Sequence, residues 1–530
     1  MEKEFLKTFS KRIVIFFLIM MILFLSCILR VTVITVDADY KNAQYEQNCY
    51  KLKISNLRGT IYDCNMVPLT NNEKKIIAAV SPTKKAKNAI SLLLEGEELN
   101  KVMETLDKGD PAVCEIPEKI KCDGISTTEV YTTSNTPAIH LLGYTDSENK
   151  GVTGIQAAYD SLLYTKDEVK VYFECNGKGG ILTGAQPIIK NNSNVTASGV
   201  VTTLDINLQS IAEKAALNLE SGAVIIADAK NSKIRAMVSA PNFQKENIAD
   251  YLNKENSPLI NKAITAYNVG SVFKPCVAIA GLESGKGDFA TYCSGSVKII
   301  DRYFKCHNLS GHGYINLIYA LANSCNSFFY GFSKYVGGNS IYNTASSLNF
   351  GNSIKICDGI YTSKGNLPEK ESLENEATLA NFSIGQGTLL ISPVSMLTLY
   401  SAIASDGTYY LPSVVEGTLN NGVFDKYNIG NPTRVMSQST AQTLRTYLKE
   451  VVLSGTGKKA APEKITAAGK TATAQTGKFE NGVEICSGWF CGFFPAEEPE
   501  YVVIVFSENT QNQNKSCNEI FKEIADNIYT

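Results

Sequence analysis

The longest unbroken apolar run lies near the amino terminus, where Ile13 to Leu29 are all apolar except Ser26. At ~1.5 Å per residue this run spans roughly 26 Å as a helix, close to a bilayer core, and Val31 to Val36 extend it past a snorkelling Arg30. Beyond it the periodicity changes. Between about Asp37 and Ile188, short apolar segments such as Lys74-Lys-Ile-Ile-Ala-Ala-Val80 alternate with polar turns, and Ile90 to Asp107 reads as an acidic helix, which predicts an elongated, mixed, non-catalytic domain. The polar, turn-rich stretch Lys190 to Ser198 reads as a joint. From Gly222, Ala223-Val-Ile-Ile-Ala227 and Ile234-Arg-Ala-Met-Val238 flank a six-residue polar turn and predict a hairpin. Ile465 to Thr476, Val483 to Phe493 and Tyr501 to Phe506 predict three further strands, separated by Glu480-Asn-Gly482 and Pro495-Ala-Glu-Glu-Pro499. Ile520, Phe521, Ile524 and Ile528 recur at helical spacing, so the last segment is an amphipathic helix with one face for the sheet. The middle, Asn261 to Leu448, reads as mostly helical, giving a sheet assembled from both ends with a helical lobe inserted.

A chain of 530 residues is too long for one core, since domains stop growing near ~250 to 300 residues. Lys3, Lys7, Lys11 and Arg12 precede the apolar run, so the amino terminus is expected in the cytoplasm and everything after about residue 37 outside. No A-x-A-like cleavage site follows, which favours a retained anchor over a signal peptide. The expected segments are a cytoplasmic tail at 1–12, an anchor at 13–36, a first outer domain at 37–190 and a second at 191–530. A net charge of −2 lacks the basic excess of a nucleic-acid binder. With only His140, His307 and His312, a His-rich metal site is excluded and histidine bases are few. The fourteen cysteines contain no C-x-x-C pair, so neither a zinc ribbon nor a thioredoxin motif is supported. They read as buried apolar fillers, with Cys114/Cys122 and Cys293/Cys306 near enough in sequence to bridge. No metal and no cofactor are expected.

Candidate chemistry starts at Gly270-Ser-Val-Phe-Lys274, which leads into the apolar helical segment Pro275 to Leu282. Residues three apart share a helix face, so Lys274 points back over Ser271 as a candidate base, and Pro275 is tolerated in a first turn. A lysine near its usual ~10.4 is a poor proton acceptor at neutral pH, and desolvation in a cleft would lower that value. Taken alone, S-x-x-K is also what an N-capping serine beside a solvated lysine looks like. Ala320-Leu-Ala-Asn-Ser-Cys-Asn-Ser327 is a turn or helix end that would present Ser324 and Asn326 to one side. Gly469-Lys-Thr-Ala-Thr-Ala-Gln475 lies on a strand, with Lys470 and Ala472 on one face and Thr471 and Thr473 on the other. Its ordinary reading is an edge lysine that discourages aggregation. The ordered trio S-x-x-K, S-x-N and K-T-x, fifty-three and then one hundred and forty-six residues apart, makes three coincident ordinary readings hard to sustain.

These motifs resemble the class B, or monofunctional, penicillin-binding proteins over nearly the whole chain. Arg58-Gly-Thr-Ile-Tyr-Asp63, Leu142-Gly-Tyr144 with Gly151-Val-Thr-Gly-Ile155, Thr203-Leu-Asp-Ile-Asn-Leu-Gln209, Ser383-Ile-Gly-Gln-Gly387 with Ser392-Pro393, and Trp489-Phe490 each resemble a further family signature. The resemblance implies an α+β fold: an antiparallel five-stranded sheet flanked by helices, behind a dimerisation or pedestal domain and one transmembrane helix. It implies a peptidoglycan D,D-transpeptidase, acylated and inhibited by β-lactams, acting on stem peptides with a D-Ala-D-Ala donor and an amine acceptor. By the same resemblance Ser271 is the nucleophile, Lys274 its base and Ser324 a proton relay. Asn326, Lys470, Thr471 and Thr473 bind substrate, and the backbone N–H groups of Ser271 and Thr473 form the oxyanion hole. A multi-pass glycosyltransferase partner and a homodimer are also implied, and a role in elongation, division or sporulation is not distinguished. Two positions depart from the pattern: Ala472 stands where the family has glycine, and Gln156 where its pedestal has glutamate. The alternatives are a β-lactam receptor, or a low-activity scaffold for a membrane glycosyltransferase, for which Ala472 is the hint.

Overall fold

The computed structural model describes residues 2–36, 48–190, 198–480, 482–511 and 513–530; the expected joint lies, apart from its two ends, outside them. The amino-terminal apolar run is one helix, Glu2–Val36. Its Lys7–Thr35 stretch is long and apolar enough to cross a membrane, and Ser26, Thr32 and Thr35 donate their hydroxyls back to carbonyls of the preceding turn. That satisfies within the helix the side-chain donors that lipid could not.

The chain forms two compact units, 1–57 with 73–132 and 166–193, and 58–72 with 133–165 and 194–530. The first holds an antiparallel sheet of Ala112–Ile116, Glu73–Val80 and Ile125–Thr132. Ile90, Val102 and Leu106 pack on its Ala78, Val80 and Ile125, which accounts for the alternating apolar positions of the Lys74–Val80 segment. The expected single helix from Ile90 is two helices, Lys84–Ile90 and Gly96–Asp107. Gly96 at φ +66 takes the left-handed conformation that breaks the continuous helix.

The second unit does not begin near residue 190, as a contiguous division would require, because Thr60–Tyr62 pairs in parallel with Gly199–Thr202. The Arg58-to-Asp63 motif explains this junction. A side chain on Gly59 would meet the Ser198 carbonyl at 2.8 Å. Buried Asp63 accepts from the N–H groups of Asn65 and Val67 and, at 3.3 Å, of Ile206. Arg58 is buried and donates to the Gln156 side-chain oxygen at 2.7 Å, to the Asn149 carbonyl at 2.7 Å, and pairs with Asp160 at 2.8 Å. The amide at Gln156 thus keeps an acceptor, while Asp160 supplies the negative charge.

The unit's main sheet comprises β1 (Gly222–Asp228), β2 (Ile234–Ala240), β3 (Ala468–Glu480), β4 (Val483–Phe494) and β5 (Tyr501–Ser507). Their spatial order is β2-β1-β5-β4-β3, antiparallel throughout, so early and late strands meet in the centre and β3 forms an edge. Period-two alternation divides the core between the two faces. Val224, Ile226, Val503 and Val505 meet Ile520, Phe521 and Ile524 of the closing helix Cys517–Ile528. Ile225, Cys491, Ile504 and Phe506 turn to the other face, with the fully buried Pro393–Ala404 helix and the Lys274–Glu283 helix, buried from Lys274 to Gly281. The inserted lobe is not wholly helical. Residues 290–316 form two small hairpin-like sheets, Ala290–Cys293 with Gly313–Asn316 and Ser296–Ile299 with Arg302–Lys305. Their strands of four residues are too short to show an alternation that separates them from helical text.

Candidate active site

Ser271 sits in a short 3-10 turn, Gly270–Phe273, that runs directly into the buried helix Lys274–Glu283, with Pro275 in its first turn. The turn is held by backbone and side-chain bonds from three directions. Gly270 N–H donates to the Gly385 carbonyl at 2.9 Å, the Tyr400 hydroxyl to the Val272 carbonyl at 3.1 Å, and the Trp489 indole to the Asn268 carbonyl at 3.0 Å. The Ser383-to-Gly387 signature belongs to this clamp: Gly385 has φ +74, and a Cβ there would lie 2.0 Å from the Gly270 carbonyl oxygen. Only glycine permits that approach.

Lys274 is fully buried. Its ammonium donates to the Ser324 carbonyl at 2.7 Å, to Ser324 Oγ at 3.2 Å and to Asn326 Oδ1 at 2.7 Å, so all three donors are used. Burial pushes its pKa down to about 7, against a smaller upward pull from Cys325 and Cys306. Ser324 occupies a tight turn between the helices Leu317–Ala322 and Asn326–Val336, at φ +52. A non-glycine residue held there carries backbone strain that the surroundings must offset. The turn aims both Ser324 and Asn326 at the lysine, as the spacing of the motif suggested.

On the edge strand β3, Lys470, Ala472 and Ala474 turn inward, whereas Thr471 and Thr473 face out. Lys470 is buried, unlike a lysine that guards a sheet edge against aggregation. Burial first, and the Lys274 charge second, hold its pKa well below the usual lysine range. Its ammonium donates to the Thr471 carbonyl at 3.0 Å. Thr471 shares a hydrogen bond of 2.8 Å with Thr456 Oγ1, and the Thr456 N–H donates to the Ala322 carbonyl at 2.9 Å. Thr456 therefore ties the edge strand to the helix end before Ser324. Sequence reasoning passed over it; the only signal was a Gly-Thr-Gly break after a long amphipathic helix. Ala472 is 8% exposed, and its methyl approaches Gly270, where an added Cβ would lie 3.4 Å from it. The methyl thus lies toward the Gly270–Ser271 turn, and Ala472 belongs to the lining of the same cavity as Ser271.

Ser271, Ser324, Asn326, Thr456, Thr471 and Thr473 line one cavity of about 390 Å³, within the size range of small-ligand sites. Lys274 and Lys470 sit behind its wall. Ser271 is not among the hydrogen-bond partners of Lys274 in the described residues; it stands one turn before the lysine on the same cavity. Such contacts are often long without substrate and tighten when it binds. As β3 is an edge strand, alternate backbone N–H groups along it point away from the sheet, a requirement for the Thr473 amide to serve an oxyanion. The arrangement can do nucleophilic acyl transfer: a hydroxyl at a helix entrance, a desolvated amine within reach of a second hydroxyl, and a hydroxyl-rich rim over a second cation.

The penicillin-binding protein transpeptidase domain model matches residues 222–526. The chain is 28% identical over 411 residues to Stage V sporulation protein D of Bacillus subtilis, covering 73% of this chain and 61% of that protein. It is 25% identical over 411 residues to the peptidoglycan D,D-transpeptidase MrdA of Acinetobacter baumannii, covering 71% and 60%. The chain thus spans about three-fifths of the length of these curated relatives. The fold is similar to that of penicillin-binding protein 3 of Mycobacterium tuberculosis in complex with aztreonam, with TM-score 0.64, 22% identity, and coverage of 90% of this chain and 96% of that one.

Proposed function

Because the chain belongs to the penicillin-binding protein transpeptidase family, we propose that it is a membrane-anchored, serine-type peptidoglycan D,D-transpeptidase of the monofunctional kind. The observation that carries the reading is the fully buried Lys274, one turn after Ser271 and bonded to Ser324 and Asn326, which line one cavity with Ser271. Ser271 Oγ attacks the carbonyl carbon of the penultimate D-Ala, and its proton passes to the neutral Lys274 amine. The oxyanion is held by the Ser271 and Thr473 N–H groups. As the tetrahedral adduct collapses, the C–N bond breaks and the proton moves from Lys274 through Ser324 Oγ to the departing D-Ala amine. Asn326 holds the peptide amide. Lys470, Thr471 and Thr473 hold the donor's terminal carboxylate, whose charge offsets the repulsion between the two lysines. An acceptor amine then attacks the ester, gives its proton back through Ser324 to Lys274, and releases Ser271 with its hydrogen restored. A β-lactam carbonyl enters at the first step and leaves a stable ester.

We place residues 1–12 in the cytoplasm and the catalytic unit outside, on the basic flank of the anchor, with a multi-pass glycosyltransferase making the glycan strands. The scaffold alternative rested on Ala472. That residue lines the Ser271 cavity with its methyl toward Gly270, and beside it Lys274 still makes its bonds to Ser324 and Asn326, which favours the transpeptidase reading. The test supplies the purified full chain with uncross-linked glycan bearing pentapeptide stems and follows dimeric stems by mass spectrometry. Dimers made by wild type and absent with Ser271→Ala are the expected result. Release of D-Ala without dimers would make the protein a hydrolase and overturn the reading.

A further inference from the structure

Outside the catalytic groups, the described residues bring one more set of chemically capable side chains to a point. The Sγ atoms of Cys293, Cys306 and Cys325 and a ring nitrogen of His312 lie within 4.8 Å of one another. All three cysteines are buried thiols with no disulfide. His312 Nδ1 is 3.6 Å from Cys293 Sγ and 3.7 Å from Cys306 Sγ, and Cys306 Sγ is 3.9 Å from Cys325 Sγ. Zinc bonds of ~2.3 Å to sulfur and ~2.0–2.1 Å to nitrogen, set at tetrahedral angles, put S···S at about 3.8 Å and S···N at about 3.6 Å. The three edges just given match that tetrahedron. A disulfide would draw two sulfurs to ~2.05 Å, leave the third without a partner and give the histidine no role. An iron–sulfur cluster needs ligands spread around several atoms rather than one.

The backbone is shaped around this point. Cys293 ends one short strand, Cys306 follows another, and His312 precedes a third. The His312 N–H donates to the Cys293 carbonyl at 3.0 Å, and the Cys306 N–H to the Gly295 carbonyl at 2.9 Å. Gly295 and Gly311 have φ +94 and +81, and a Cβ on either would lie 2.0 Å from the Leu309 carbonyl oxygen or 2.2 Å from that of Cys293. Cys325 caps the Asn326–Val336 helix, its Sγ accepting from the Phe328 N–H at 3.4 Å, which fixes the direction of the sulfur. Meanwhile the 290–316 segment exposes Tyr292, Ile300, Tyr303, Leu309 and Tyr314. Two-stranded elements with so little core are marginal in water, and a closed metal site is a common substitute for a core.

We propose that Cys293, Cys306, His312 and Cys325 form a structural Zn²⁺ site that staples the 290–316 hairpins to the Ser324 turn. Cys325 lies between Ser324 and Asn326, so the metal fixes the turn that presents both to Lys274. This second statement rests on the transpeptidase reading; metal binding does not.

The full-length protein, purified in detergent with a phosphine reductant and no chelator, is assayed for bound metal and then reconstituted with Co²⁺ after metal removal. One zinc per chain is expected, with the thiolate-to-cobalt charge-transfer and strong visible bands of a tetrahedral site. Cys293→Ser and His312→Ala should lose the metal, while Cys486→Ser, at a partly exposed cysteine away from the cluster, should keep it. A ligand variant that unfolds would lose metal trivially, so the wild-type cobalt spectrum decides. Its absence, an iron–sulfur chromophore, or a Cys306 disulfide in peptide maps would overturn the proposal. Chelation should slow penicillin acylation at least tenfold, with recovery on adding Zn²⁺; unchanged acylation by metal-free, folded protein would overturn the positioning role alone.

Discussion

Lys274 gives the most quantitative prediction. Burial brings its pKa down to about 7, so the neutral, proton-accepting form is roughly a tenth of the protein at pH 6 and roughly nine-tenths at pH 8. The limiting acylation rate at saturating β-lactam should therefore rise about tenfold between pH 6 and pH 8, with an inflection near 7 and a plateau above. Lys470, which also lies low because of burial and the Lys274 charge, affects drug binding instead. Its loss of charge weakens the hold on the drug carboxylate as pH rises, so rate and dissociation constant must be measured separately. Stopped-flow fluorescence with a reporter β-lactam resolves both. Stability follows the same linkage. The folded state sheds this proton near 7 and the unfolded chain near its usual value, so this contribution is complete only above the unfolded pKa. It falls away as pH drops toward 7, by about 5 kcal/mol over the whole interval for a shift of this size. A limiting rate flat from pH 6 to 8, or an inflection at 9 to 10, would refute Lys274 as a desolvated base.

Arg58→Met leaves Gln156 and Asp160 without the guanidinium that bonds both and should destabilise the folded protein by about 3 kcal/mol, read from urea denaturation of the variant against wild type. Ala472→Gly removes a buried methyl that lies toward Gly270 and lines the Ser271 cavity and loosens the strand backbone; a loss of about 1 kcal/mol is expected, together with a changed acylation rate. If both were unchanged, the methyl would have no part in the site. Alkaline phosphatase fused after Thr530 should be active in cells and cytoplasmic green fluorescent protein at the same point dark, because the catalytic unit is placed outside; the reverse pattern would invert the topology.

What was legible in the sequence were the features with a strong period or a local motif. The apolar anchor, the hairpin from Gly222, the three closing strands and the amphipathic last helix each announce themselves over a few residues. The S-x-x-K, S-x-N and K-T-x motifs stand on a helix entrance, an inter-helix turn and an edge strand, and the fold brings them to one cavity. What was not legible depends on distant partners. Thr456 matters because it reaches Thr471 and Ala322, which no local pattern encodes. The pairing of Thr60–Tyr62 with Gly199–Thr202 moves a segment out of the first domain by a parallel contact across some 140 residues. The Cys293, Cys306, His312 and Cys325 ligands are spaced by twelve, five and twelve residues, without the C-x-x-C knuckle that marks a zinc ribbon, and converge only because two short hairpins fold back on a helix cap. The expectation of no metal followed from the scarcity of histidine and the missing C-x-x-C spacing, and gave these residues no shared role. Strand alternation put Ala472 on the Lys470 face, but that its methyl meets the Gly270 turn depends on a distant partner.

The most direct test of the central claim is the intact mass of the full-length protein after reaction with a β-lactam, followed by mapping of the modified peptide. The account predicts one adduct per chain, carried on the peptide containing Ser271 and absent in Ser271→Ala that remains folded. No adduct on folded wild type, or an adduct on another residue that persists in the Ser271 variant, would contradict it.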